Sequence, residues 1–221
     1  MVRSAAARAG WSETVRKNAV LRVDVLFAGW LAAAIALGLL GAYDTAPGQL
    51  PTIQFGILVP VIVGVLAMRL SSTVRGLVQA VPQPWIVGIQ FYRVLGAFFL
   101  VLFGVGQLPG VFAIPAGVGD TLVGLAAPFV ALAYARRPEA NRSWVAWWNI
   151  LGVTDLVVAV TMGFLSQFLF HNPATLVGAF PLVLVPTFGV PLGFLLHVAS
   201  LMKLRRPNSV PANLSAAHAH L

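Results

Sequence analysis

The sequence predicts an all-α polytopic membrane protein with six transmembrane helices and with both termini in the cytoplasm. Hydrophobic residues make up 59% of its 221 residues and charged residues only 9%, whereas soluble domains carry about 25% charged residues. The apolar residues form six runs of about 20 residues, the length that crosses a bilayer as a helix. The basic residues fall in every second connection between these runs, and this bias sets the predicted orientation.

The predicted spans form one membrane domain over residues 21–203 and leave no room for a soluble domain. We place them at roughly 21–42, 52–69, 86–107, 111–135, 144–169 and 175–203. Residues 1–20 read as a cytoplasmic amphipathic segment, with Trp11 on one side and basic residues available to lipid headgroups. Residues 204–221, rich in Pro, Asn, Ala and His, are typical of a disordered cytoplasmic tail.

The distribution of Lys and Arg predicts which connections face the cytoplasm. Three connections, after the first, third and fifth spans, contain neither residue. The other connections and the segments that flank the spans hold thirteen of the fourteen basic residues: Arg3, Arg8, Arg16, Lys17, Arg22, Arg69, Arg75, Arg136, Arg137, Arg142, Lys203, Arg205 and Arg206. This is the positive-inside pattern, and it leaves only Arg93 within a span.

Composition also bounds the partners and cofactors. The net charge of +8 reflects topology, so we expect the lipid bilayer as the partner, with anionic lipid at the basic N-terminus, and no nucleic acid. The absence of Cys excludes disulfides, thiolate zinc sites and iron–sulfur ligation. Haem held between helices needs two ligands at matching depth, and only His197 lies in a span; a retinal-type Schiff base needs an intramembrane Lys. We therefore expect no cofactor and no metal.

Three ionisable residues are predicted near the middle of the membrane. With a rise of 1.5 Å per residue, Arg93 lies about 12 Å from the start of span three, Asp155 about 16 Å from the start of span five, and Asp120 about 14 Å from the opposite side. Gln90 lies one turn before Arg93 on the same face. A charge at this depth costs at least about 2.5–3.5 kcal/mol, so we expect these groups to pair.

Small residues surround each of these charges at helical spacing. Gly96 follows Arg93, Gly117 and Gly124 flank Asp120, and Gly152 precedes Asp155, and such faces allow close helix packing. One Arg neutralises one Asp, so the second is protonated, or needs a cation or a water-filled cavity. The cluster is therefore either a proton or solute site, or a structural ion pair beside a neutral Asp.

The sixth span carries two further signals. Pro181, Pro186 and Pro191 recur every five residues, which predicts a helix that is kinked or broken in its outer half. Broken helices often build sites in transporters, although prolines also occur as simple kinks. His197 lies about 9 Å from the cytoplasmic end of this span, where it either passes protons towards the midplane or forms a hydrogen bond near the interface.

Two resemblances bear on function. Gly117-Val118-Gly119-Asp120 resembles the Gly-x-Gly-Asp signature of intramembrane aspartyl proteases, which implies two carboxylates that share a proton and activate water. In that group the partner Asp comes earlier in the chain; here Asp24 comes earlier but lies at another depth, and Asp155 lies at the better depth but comes later. The stretch from Arg93 to Pro128 resembles uncharacterised small multi-pass bacterial inner-membrane proteins. This resemblance implies a location in the bacterial inner membrane but does not imply any particular activity.

The sequence favours a small-solute or proton-linked transporter of the bacterial inner membrane. Its predicted site contains Arg93, Asp120 and Asp155, supported by Gln90 and His197, with no catalytic residue assigned. The alternatives are a non-catalytic membrane scaffold or subunit and a Gly-x-Gly-Asp intramembrane aspartyl protease. A second copy of the chain and another membrane protein both remain compatible partners, and the sequence does not identify the substrate, the direction or the coupling ion.

Overall fold

The computed structural model describes residues 13–46, 49–169 and 175–205, and all regular structure in these ranges is helical. A 3₁₀ segment, Ile89–Gly96, joins α4 to α5, and a π-helical segment, Val185–Gly189, precedes α9. The α-helices are α1 Glu13–Leu39, α2 Ile53–Leu70, α3 Ser72–Ala80, α4 Gln83–Gly88, α5 Ala97–Gly104, α6 Gly110–Arg136, α7 Arg142–Phe168, α8 Thr175–Gly178 and α9 Val190–Arg205.

Six helical stretches of the described chain are long and apolar enough to cross a membrane, as predicted. They are Val20–Leu39, Ile53–Leu70, Gln83–Gly104, Gly110–Arg136, Arg142–Phe168 and Val185–Arg205. The first five agree with the predicted spans to within about three residues at each end. The connections after the first, third and fifth spans form what we call the predicted outer end, named after the charge pattern.

The predicted start of the sixth span at residue 175 is wrong. The long helical stretch begins only at Val185, after the four-residue helix α8 and a turn that contains Pro181. Proline has no backbone N–H and clashes with the preceding turn, so the predicted break is present, as two separate pieces and a π-helical segment. Pro60, Pro115 and Pro128, in contrast, lie inside the continuous helices α2 and α6.

The fourth and sixth spans form the centre of the bundle. Within an apolar window of 18 residues, buried residues make up 44% in each of these two spans, but only 11% in the first and second spans. Helix α6 packs against α7 and against the whole third span, while α9 packs against α2, α4 and α7. The third, fourth, fifth and sixth spans therefore enclose the interior, and α1 is attached at the side through the π-helical segment.

Side chains from other spans bind carbonyl groups in the interrupted helix. Pro191 has no N–H to donate to the carbonyl of Thr187, four residues earlier. The indole Nε1–H of Trp30 donates to this oxygen at 3.1 Å, and the Trp30 ring lies 4.5 Å from that of Phe188. The Tyr92 hydroxyl donates to the Gly189 carbonyl at 2.7 Å. Buried carbonyls in an apolar medium need such donors.

The predicted terminal segments are described only in part. Residues 1–12 and 206–221 lie outside the described residues, so the predicted disorder of the C-terminal tail stays a prediction. The described part of the N-terminal segment, from Glu13 onward, continues into the first span without a break as α1. Lys17 pairs there with Glu13 at 2.8 Å on an exposed surface.

Candidate functional site

The 3₁₀ segment aligns three residues on the inner face of the third span. A 3₁₀-helix has three residues per turn, so side chains three apart lie directly above one another. Gln90, Arg93 and Gly96 have this spacing, and all three are buried. Gly88 immediately precedes the segment and Gly96 ends it, and glycine disfavours regular α-helix. The local geometry therefore directs Gln90 and Arg93 into the bundle together.

Glycines bring helix α6 against the backbone of this segment. A Cβ at Gly124 would lie 2.6 Å from the backbone nitrogen of Val94, and one at Gly117 would lie 3.2 Å from the carbonyl oxygen of Gly96. A Cβ at Gly96 would lie 2.4 Å from the Cβ of Asp120. The close approach that the small residues predicted is present, and it places Asp120 beside Arg93.

All three nitrogens of the Arg93 guanidinium have partners in the bundle interior. Its Nε donates to Oδ1 of Asp120 at 2.7 Å, and its Nη2 lies 2.6 Å from the same oxygen as an ion pair. Nη2 also donates to Oδ2 of Asp155. Nη1 lies 3.0 Å from Nε2 of His197 and 3.4 Å from the carbonyl oxygen of Gly152. A guanidinium can only donate, and each of its three nitrogens here already faces an acceptor.

The charge cluster, defined as Arg93, Asp120 and Asp155, is one positive charge short. The Arg93 side chain is 2% exposed, and those of Asp120 and Asp155 are 9% and 12% exposed. With both carboxylates ionised the cluster carries a net charge of −1, and an excess charge away from water is costly. A proton or a cation at one of the carboxylates would remove this cost.

The contacts of His197 define its tautomer. Its Nε2 faces Nη1 of Arg93, which can only donate, so Nε2 accepts and carries no proton. The proton then lies on Nδ1, which donates to Oδ1 of Asn149 at 2.9 Å. Nε2 of Gln90 lies 3.2 Å from the same Nδ1. Both atoms are donors in this tautomer, so this contact is a hydrogen bond only with the amide oxygen of Gln90 turned towards Nδ1. The imidazole is thus neutral and hydrogen-bonded to the charge cluster, deeper in the bundle than an interface position.

A line of uncharged polar side chains extends from His197 towards the predicted inner end. Asn149 donates to Oγ of Ser200 at 2.8 Å, and Gln83 donates to the same oxygen at 2.6 Å. We call Gln83, Asn149, His197 and Ser200 the inner polar row. Among the described residues, the buried Oε1 atoms of Gln83 and Gln90 have no hydrogen-bond partner. Such acceptors normally bind water when the protein offers no donor.

Gly117-Val118-Gly119-Asp120 in span four and Gly152-Val153-Thr154-Asp155 in span five share their first two residues and their Asp, and their glycines have packing roles. A Cβ at Gly119 would lie 1.5 Å from Oδ1 of Asp155, and one at Gly152 would lie 2.2 Å from the His197 ring. Gly119 therefore makes room for Asp155, while Gly152 makes room for His197. These contacts explain the glycines in both tetrapeptides without a protease site.

A cavity of about 400 Å³ connects the predicted outer end to the charge cluster. Exposed loop residues, including Asp44, line its mouth, and Asp120 lies at its inner limit. Phe99, Phe112 and Ala159 contribute to its walls. Burial raises the pKa of the Tyr43 hydroxyl at the mouth, so this group stays a neutral donor. Among the described lining residues there is no Lys and no Arg.

The structure brings all five predicted site residues into one contact network. Gln90 contacts His197, His197 contacts Arg93, and Arg93 contacts both carboxylates. Whether this network is a solute site stays a prediction. Sequence reasoning missed Asn149 and Gln83, for which the only signal was an amide side chain in or next to a span. The described residues contain no group of three His, Asp or Glu side chains placed to hold a metal ion.

Comparison with known proteins assigns this chain to a family but does not indicate its activity. No curated protein and no solved structure matches this chain. A family model with the description "Domain of unknown function (DUF8737)" matches residues 50–205, a range that includes the charge cluster, the inner polar row and spans two to six. Because this match covers well over half of the sequence, the chain belongs to the DUF8737 family.

Proposed function

We propose that this protein is a small-solute or proton-linked transporter of the bacterial inner membrane, with both termini in the cytoplasm. The six apolar helices support insertion, and the positive-inside pattern supports this orientation. The proposed site is the charge cluster, with Gln90 and His197 in support. The observation that carries the proposal is the cavity that connects the predicted outer end to Asp120.

The other side of the charge cluster supports access from the opposite face. The inner polar row begins at Gln83, the first residue of α4, and reaches Arg93 through buried hydrogen bonds. The buried Oε1 atom of Gln83, which has no hydrogen-bond partner among the described residues, offers an acceptor at the start of this route. An apolar cavity on one side and a polar row on the other meet at the same carboxylates, as expected of a site that is served alternately from two faces.

The geometry disfavours the aspartyl protease alternative. In such an enzyme the two carboxylates share one proton and activate water. Here Nη2 of Arg93 contacts Asp120 and Asp155 at the same time. A guanidinium between the carboxylates stabilises their ionised forms and occupies the place where they would bind water together. The scaffold alternative remains the interpretation if transport is absent.

The test is solute uptake into proteoliposomes that contain the full chain. A mixed panel of small amines, carboxylates and uncharged solutes is added, the trapped solutes are measured by mass spectrometry, and the luminal pH is followed with a fluorescent dye. We expect uptake of at least one class, reduced about tenfold or more in Asp120→Asn and in Asp155→Asn. Asp24→Asn is the matched control, because Asp24 is exposed on α1.

Two results would overturn the proposal. If both site variants transport as well as the wild type, the charge cluster is not the site. If no solute enters and the chain co-purifies with a stoichiometric membrane partner, the protein is a scaffold or subunit.

A further inference from the structure

We propose that the cavity binds a small organic cation with an apolar body, with Asp120 as its counter-ion. This inference rests on the proposed function, because it names the substrate class of the same site. Three observations carry it: one oxygen of Asp120 accepts no hydrogen bond from the described part of the chain, the charges that face the cavity have one sign, and the cavity has the volume and the apolar walls of a small-molecule site.

The Asp120 carboxylate has one oxygen that the protein does not engage. Among the described residues, the hydrogen bonds to Asp120 come from Arg93 and end on Oδ1. Asp120 lines the cavity. Its Oδ2 accepts no hydrogen bond from the described residues and is not fully buried, so a ligand in the cavity can reach it. Each nitrogen of the Arg93 guanidinium already faces an acceptor, and Arg93 is not among the described lining residues. A ligand at the inner limit of the cavity therefore meets a carboxylate oxygen rather than a cationic donor.

The charges that face the cavity have one sign. Asp44 is exposed at the mouth and Asp120 lies at the inner limit, and the described lining contains no Lys or Arg. A solute with a positive charge would neutralise the net −1 of the charge cluster, whereas an anion would raise it to −2. In a medium of low dielectric constant this difference decides which charged solute enters.

The size and the walls of the cavity favour an organic cation over a bare metal ion. A volume of about 400 Å³ falls within the range of small-molecule sites. Metal ions such as Ca²⁺ need six or more oxygen ligands, and the inner limit offers one carboxylate. Phe99 and Phe112 line the walls with their ring centroids 5.4 Å apart, and aromatic faces attract alkylammonium groups.

The experiment is equilibrium dialysis of labelled benzyltrimethylammonium against the purified full chain in detergent. Two competitors of the same shape isolate the charge: choline and 3,3-dimethylbutan-1-ol, in which carbon replaces the quaternary nitrogen. We expect choline to displace the probe at a concentration at least about tenfold lower than the alcohol, a ratio that corresponds to 1.4 kcal/mol. This comparison uses the wild-type chain and does not depend on a variant that folds.

Variants then locate the site. Asp120→Asn should weaken probe binding about tenfold or more. Asp44→Asn should weaken it less than about threefold and only at low salt, because a charge at the mouth is screened. Gly163→Leu should abolish binding by filling the cavity, since Gly163 lies on its wall. Asp24→Asn is the control without effect.

Equal competition by choline and the alcohol would overturn the inference, and so would unchanged binding in a folded Asp120→Asn variant. These outcomes differ from a failure of the proposed function. Cation binding without uptake in proteoliposomes would sustain the cation site and refute transport. Uptake of anionic or uncharged solutes without cation binding would sustain transport and refute the cation site.

Discussion

The close contact between the third and fourth spans can be tested with Gly124→Ala. A Cβ at Gly124 would lie 2.6 Å from the backbone nitrogen of Val94 and 3.0 Å from the backbone carbon of Arg93. These are backbone atoms, so no side-chain rotation relieves the clash. To reach the 3.4 Å of ordinary contact, the two helices must separate by about 0.8 Å. Forcing an extra methyl group into a well-packed interior in this way costs about 1–3 kcal/mol.

The same displacement acts on the charge cluster. The distance between Nε of Arg93 and Oδ1 of Asp120 is 2.7 Å. If the whole separation of about 0.8 Å is added to this distance, it becomes about 3.5 Å, which is beyond the upper limit of about 3.2 Å for N–H···O bonds. We therefore expect Gly124→Ala to lower both the stability and the activity of the site, although Gly124 carries no polar group.

The assay is reversible unfolding of the full chain in mixed micelles with increasing dodecyl sulfate, followed by tryptophan fluorescence. Gly29→Ala is the matched control, because nothing lies within 4 Å of a Cβ at this position in α1. Alanine is favoured over glycine inside a helix by up to about 1 kcal/mol, so the control should be neutral or more stable. Superimposable unfolding curves for Gly124→Ala and the wild type would refute the tight contact.

Two further substitutions test buried hydrogen bonds in the same assay. Arg93→Gln leaves the carboxylates unpaired and should lower the free energy of unfolding by about 3–5 kcal/mol. Adding Asp120→Asn returns the cluster to a net charge of −1 and should recover part of this loss. If the effects of the two substitutions simply add in the double variant, the pairing of Arg93 with Asp120 is contradicted. Trp30→Phe removes the donor to the Thr187 carbonyl and should lower the free energy of unfolding by about 1 kcal/mol. Its control is Trp85→Phe, at a residue that is 61% exposed, which should change stability by less than about 0.5 kcal/mol. Equal effects of the two substitutions would argue against the Trp30 hydrogen bond.

The charges and the span positions were predictable from the sequence because lipid imposes strong constraints. An arginine or aspartate within an apolar run is costly enough that Arg93, Asp120 and Asp155 had to face one another. Run length gave five of the six spans closely, whereas the orientation that the Lys and Arg bias predicts stays a prediction. The proline spacing predicted the break in span six, although not that the long helix would begin as late as Val185.

The features that the sequence did not predict depend on contacts between residues far apart in the chain. Nothing in the sequence around Arg93 requires a 3₁₀ segment, since its apolar residues fit an α-helix equally well. Asn149 and Gln83 carry no charge, so a membrane tolerates them singly, and only the tertiary fold shows that both bind Ser200. The cavity is bounded by loops and by the interrupted sixth span, whose relative positions have no sequence signal.

The 3₁₀ segment Ile89–Gly96 also changes the reach of the third span. Eight residues rise about 2.0 Å each in a 3₁₀-helix but only 1.5 Å each in an α-helix, so this span is about 4 Å longer than its 22 residues would be as α-helix throughout. In α-helical form, residues three apart are offset by about 60° around the axis, so Gln90 would turn away from the line of Arg93. The length of the span and the alignment of its two polar side chains are therefore coupled, and neither can change alone.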